Sequence, residues 1–174
     1  MSDDMKVWVG CLACYNEGRL VGEWLDALQA GEYVPCHRAG HEECWCFATD
    51  TPWITGECSP SEAQAIAEAI EALPDHLDRD AVLAYVSGVM GYEDVRALLR
   101  GVEPFDVSRF EDAYRGEFEI TREYTDELFD DLYAHELTDS LRNYIDYEAW
   151  NRDVMMDHTA VSVGGKLYIF DDTV

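Results

Sequence analysis

Glu119, Glu123, Glu127 and Asp131 follow one another at four-residue steps, and Asp126 and Asp130 form a parallel step. On a helix this spacing stacks carboxylates along one face, about 5–6 Å apart. Like charges so placed repel by about 0.2–0.5 kcal/mol per pair, so a helix shaped for stability alone would alternate signs. A rigid row of uncompensated carboxylates offers a basic cleft what the phosphates of a DNA strand offer it. Glu111, Asp112 and Glu117 extend the same acidic stretch toward the N-terminus. The competing reading is a solvated acidic face with no partner.

Cysteine and histidine give a second constellation. Cys11 and Cys14 form C-x-x-C, followed by Cys36-His37, His41, Cys44 and Cys46, with Cys58 further on. Zinc accepts four such donors tetrahedrally. The spacing is irregular, however, and inert buried thiols packing as small hydrophobes are the commoner arrangement. Metal binding by Cys36, His37, His41, Cys44 and Cys46 is left open, and no metal or other cofactor is expected.

Other chemistries find no support. Among thirty-seven acidic residues some pair falls at any chosen separation, so paired carboxylates do not single out a glycosidase. No glycine-rich phosphate loop occurs; Gly88-Val89-Met90-Gly91 reads as a turn between helices. No catalytic residue is nominated, and the chain is not expected to be an enzyme. A last segment, Asn143-Tyr144-Ile145-Asp146-Tyr147-Glu148-Ala149-Trp150-Asn151-Arg152-Asp153, alternates aromatics with acids. It fits core packing of a final helix or a self-association face, since Tyr and Trp favour interfaces.

These groups sit in a chain of 174 residues with net charge −25, and the excess is uneven. Residues 103–139 carry thirteen acids against Arg109, Arg115 and Arg122. Self-repulsion of this size opposes compaction, so the charge points to a basic partner rather than to folding. Nucleic acid and anionic membranes would be repelled. Nearly half the residues are apolar and 12% are aromatic, which excludes an acidic disordered tail. No apolar run of about 18 residues exists to span a membrane. The acidic start Met1-Ser2-Asp3-Asp4 is the reverse of a signal peptide, so a cytoplasmic location with reduced thiols is expected.

The positioning elements read as follows. Residues 6–12 form a buried strand, Tyr15–Gly18 a turn, and Gly31–Gly56 loops with one short strand around Trp45–Ala48. Ser59-Pro60-Ser61-Glu62 is a capping box with proline at the first helical position. Ala63, Ile66, Ala67, Ile70 and Leu73 then keep helical spacing until Pro74. Further helices are expected over about 75–86 and 92–100, the latter capped at Gly101. Beyond it lie helical candidates at 108–115 and 125–137, and a last one from Asp139 or Ser140 through Leu141, Tyr144, Ile145 and Ala149. Thr159–Val163 and Lys166–Phe170 flank Gly164-Gly165, a tight β-hairpin. Strands and helices segregate, so the class is α+β, divided into a β-rich module (1–58), a small helical module (59–101) and an acidic module with the hairpin (102–174).

Two stretches resemble a known family. Val7-Trp8-Val9-Gly10, Tyr15-Asn16-Glu17-Gly18 and Gly22-Glu23-Trp24-Leu25 are similar to the opening of the ArdA antirestriction proteins. Tyr144-Ile145-Asp146-Tyr147-Glu148-Ala149-Trp150 with Arg152-Asp153 resembles the family's antirestriction motif. Asn151 stands where that motif usually has glycine, a replacement expected to serve the same turn or cap role. The resemblance implies a DNA mimic from mobile elements, an elongated homodimer of three-module chains, with the motif near the dimer interface. The implied partner is the methyltransferase core of type I restriction–modification enzymes, whose DNA groove the mimic would fill. An acidic binder of another basic protein, a Cys/His zinc protein and simple salt adaptation are the alternatives.

Overall fold

The computed structural model describes residues 5–33, 38–99 and 103–174. In chain order it forms β1 (Lys6–Cys11), α1 (Leu12–Asn16), β2 (Gly22–Asp26), a 3-10 segment (Ala27–Glu32) and β3 (Cys44–Thr49). There follow α2 (Pro60–Glu71), α3 (Arg79–Gly88), α4 (Tyr92–Leu99), α5 (Val107–Ala113) and β4 (Tyr114–Phe118). The chain ends with α6 (Thr121–Tyr133), α7 (Asp139–Arg142), α8 (Tyr147–Val154), a short 3-10 turn, β5 (His158–Val163) and β6 (Lys166–Asp171). Helices and two antiparallel three-stranded sheets coexist, so the class is α+β as expected. The acidic start Met1–Asp4, Cys36-His37 and the Gly101 cap lie outside the described residues.

The chain groups into two compact units, 1–75 with 92–105, and 76–91 with 106–174. In the first, β1 is the middle strand of the order β2-β1-β3. Val7, Val9 and Cys11 point to one side of β1 and are buried there, the two-residue period of a strand with one covered face. Gly22 faces Gly10 across the β1–β2 pair, and a Cβ on Gly22 would lie 2.3 Å from the carbonyl oxygen of Val9. Glycine is therefore required for the close approach there. Helix α2 starts as its sequence specifies: Ser59 Oγ accepts from Glu62 N–H while Glu62 reaches back to Ser59 N–H, with Pro60 inside the first turn. Its stripe Ala63, Ile66, Ala67 and Ile70 is buried, and α2 packs against the 3-10 segment that contributes Ala27 and Ala30.

In the second unit β6 is the middle strand of the order β4-β6-β5. Consecutive residues Tyr168, Ile169 and Phe170 are all buried, so both faces of β6 are covered. Phe170 lies among Tyr85 of α3, Phe110 of α5 and Tyr114, with ring centroids 5.4–5.6 Å from Tyr85 and Tyr114 and 6.3 Å from Phe110. The β5–β6 hairpin turns through Gly164 (φ 61°) and Gly165 (φ 86°), the left-handed pair that a two-residue turn demands.

Strand β4 was not anticipated; helix was expected to run to residue 115. Helix α5 stops at Ala113 because the chain bulges between Tyr114 and Gly116, with Gly116 at φ 130°. The bulge turns Arg115 onto Asp171 at 2.7 Å. The Thr173 hydroxyl and N–H also donate to the Asp171 carboxylate, at 2.6 and 2.9 Å. Together, with the Thr173 hydroxyl foremost, these donors hold the Asp171 carboxyl well below the usual aspartate range. The expected final helix is likewise split. It breaks between α7 and α8, and Asp146 caps the second piece by accepting from Ala149 N–H at 3.0 Å.

Candidate functional site

Helix α6 begins at Thr121, and that start decides which acids form a row. Glu119 lies ahead of the helix and is not part of the stack expected from its spacing. Its backbone N–H donates instead to Glu123 Oε2 at 2.8 Å, so Glu123 helps the chain enter a helix whose N-cap, Ile120, offers no side-chain acceptor. Glu123, Glu127 and Asp131 do stand one turn apart on α6, and all three are exposed. Among the described residues Glu127 and Asp131 have no ion-pair partner.

The parallel pair behaves differently. Arg122 reaches Asp126 at 3.2 Å on the same helix, and Arg142 of α7 reaches Asp130 at 2.7 Å. These two carboxylates are neutralised within the fold. Arg122 also pairs with Glu148 of α8 and lies 5.7 Å from the centroid of the Tyr147 ring. One guanidinium thus ties two helices. Of the remaining expected acids, Glu111 meets His76 at 3.0 Å and Glu117 pairs with Lys166, while Asp112 and Glu119 are exposed.

The aromatic–acidic segment divides by residue. Trp150 Nε1–H donates to the carbonyl of Thr125 at 2.7 Å, and its ring lies edge-on to Phe129 and Tyr133 of α6. Tyr147 packs on Phe129 at 5.1 Å. These two aromatics fasten α8 to α6. Tyr144 faces outward, with 86% of its surface exposed, and Leu141 close by in sequence is half exposed. Ile145 and Ala149 are part-buried.

Asn151 is not in a turn or cap. It sits inside α8, and its Oδ1 accepts from the hydroxyl of fully buried Thr125 at 3.0 Å. Its expected role is therefore corrected: a side-chain acceptor is wanted where glycine would supply none. Their pairing carried no signal in the sequence, because it spans 26 residues.

In the first unit, Cys11 caps α1 and Cys14 lies within it, both buried. Half-buried His41 brings Nδ1 to 3.4 Å from each of the two sulfurs. Cys44 and Cys46 do not join them. Cys44 Sγ lies 3.7 Å from the carbonyl of Tyr33, and Cys46 bridges to Cys58 across an isolated β-pair.

Among known proteins, the family model described as antirestriction protein (ArdA) matches residues 7–167. No individually curated protein matches the chain. The matched span takes in β1 from Val7 onward, the exposed carboxylates of α6 and the whole α6–α8 clasp, and on it the chain belongs to the ArdA family of antirestriction proteins, inhibitors directed at restriction–modification enzymes.

Proposed function

We propose that the chain is a DNA mimic that occupies the DNA-binding groove on the methyltransferase core of type I restriction–modification enzymes. Incoming unmodified DNA then escapes cleavage because the groove is filled. No bond is made or broken. The reading rests on one observation above all: the exposed carboxylates Glu123, Glu127 and Asp131 step along one helix, while Arg115, Arg122 and Arg142 of the same unit pair with Asp126, Asp130, Glu148 and Asp171. These three arginines hold the fold together, and the row on α6 is left open to a partner.

The acting form is a homodimer in the cytoplasm, joined near the Tyr144–Trp150 motif, with Tyr144 as the outward aromatic. Two chains carry a charge of about −50, which at the linear density of duplex DNA corresponds to about 85 Å. A preformed scaffold presents that charge at little ordering cost. The deciding experiment is plating of unmodified phage on hosts carrying type I restriction, with and without the protein. Restored plating, together with displacement of DNA from the purified methyltransferase core, is expected. Unchanged restriction at full soluble expression overturns the proposal, and recovery of a different basic protein in its place supports an acidic binder of another kind.

A further inference from the structure

We infer that Cys11, Cys14 and His41 form a zinc site that fastens the turn carrying His41 to the end of β1. The three donor atoms lie within 4.8 Å of one another. Around a tetrahedral zinc with Zn–S of about 2.3 Å and Zn–N of about 2.05 Å, sulfur and nitrogen stand about 3.6 Å apart. The two Sγ–Nδ1 separations here are both 3.4 Å. A single ring nitrogen has one in-plane lone pair or one N–H, so it makes one good hydrogen bond, not two equal ones. A cation shared by the two sulfurs and that nitrogen accounts for the symmetry.

The backbone supports the same geometry. Cys11 is the N-cap of α1, and Cys14 N–H points at Cys11 Sγ at 3.5 Å, which fixes the C-x-x-C pair in one turn. His41 is delivered by a turn in which its N–H donates to the carbonyl of Arg38 at 3.1 Å and Gly40 adopts φ 85°. Strand β1 and the backbone bond from Leu12 N–H to the carbonyl of Glu43 fix the two segments against each other. On binding, both thiols release their protons to solvent and His41 offers its Nδ1 lone pair, which gives zinc two thiolates and one imidazole. Water or another donor completes the fourth position. Two soft sulfurs and one imidazole select zinc over magnesium or calcium.

The test uses full-length protein purified under reducing conditions, measured for metal and then reloaded with cobalt(II) as a spectroscopic probe. About one equivalent of zinc per chain is expected. Cobalt should give thiolate-to-metal charge transfer and the intense visible bands of tetrahedral coordination. Cys14→Ser and His41→Ala should lose both signatures while keeping the wild-type near-ultraviolet circular dichroism. Cys58→Ser, whose thiol lies beside Cys46, should keep them. His41 is half-buried on a turn, so its variant keeps the test informative if a cysteine variant fails to fold. Folded wild type that neither retains zinc nor gives cobalt bands overturns the site, as does undiminished binding in both Cys14→Ser and His41→Ala.

Discussion

Thr125 shows how a single side chain sets the geometry of the acidic unit. Its hydroxyl is completely buried and has one proton, which Asn151 Oδ1 receives at 3.0 Å, with the carbonyl of Arg122 next at 3.3 Å. Asn151→Gly, which restores the glycine usual in the family's motif, should destabilise the protein by about 1–2 kcal/mol in urea unfolding, through the lost acceptor and the helix cost of glycine. Trp150→Ala removes a hydrogen bond and two aromatic contacts and should cost about 3 kcal/mol. Tyr144→Ala touches little of its own chain and should leave stability within about 0.5 kcal/mol. If Tyr144 serves self-association as proposed, that variant shifts the mass measured by light scattering instead. Asp171 gives a pH prediction. Its folded pKa is depressed below the unfolded value of about 3.9, so its contribution is fully present above that value and is lost as pH falls through the folded one. Asp171→Asn should therefore lower stability at neutral pH and flatten the acid limb of the stability curve, as followed by circular dichroism.

Between elements, the sheet of the second unit leaves little room. A Cβ on Gly88 at the end of α3 would come 2.3 Å from Cγ2 of Val161 on β5. Gly88→Ala should cost about 1–3 kcal/mol by overpacking, and Gly88→Ala with Val161→Ala should cost less than the sum of the two single changes. A denaturation series on the four proteins of that cycle measures the coupling. The charged face of α6 answers to a different logic. Glu123→Gln, Glu127→Gln and Asp131→Asn together remove like-charge repulsion from an exposed face, so stability should hold or rise slightly, within about 0.5–1 kcal/mol. If this row engages the groove, the same triple change weakens antirestriction while each single change has little effect. Loss of activity from any one alone would point to a conventional site.

For the whole molecule the governing quantity is the net charge of −25. Its field acts over a Debye length of about 8 Å at physiological salt, so attraction to a basic groove weakens as salt rises. Competition between the protein and DNA for a purified restriction enzyme should depend steeply on salt on both sides, because both ligands are polyanions. The salt slope of the protein's own inhibition constant, measured by titration at several ionic strengths, should fall for the triple α6 variant. An unchanged slope would move the binding charge elsewhere on the surface.

The sequence alone was sufficient for elements whose signals are local. The capping box at Ser59–Glu62, the stripe from Ala63 to Ile70 and the Gly164-Gly165 hairpin are each written within a few residues, and each forms where expected. The antirestriction family was legible for the same reason, since its opening and its motif are contiguous runs. What local signals could not supply was the pairing of distant residues. Strand β4 has an arginine in second position and a bulge at its central Gly116, so it lacks alternation and exists because β6 is there to pair with it. The row on α6 lost Glu119 because the chain is still extended at Ile120 and the helix starts at Thr121, not where the four-residue spacing begins. Asp130 acquired its partner from Arg142, 12 residues on, and Asn151 its role from Thr125, 26 residues back. Composition determined that this chain would be acidic; the packing of α6, α7 and α8 decided that Asp130 and Glu148 are ion-paired while, among the described residues, Glu127 and Asp131 are not, because an ion pair depends on distance in space and not on distance along the chain.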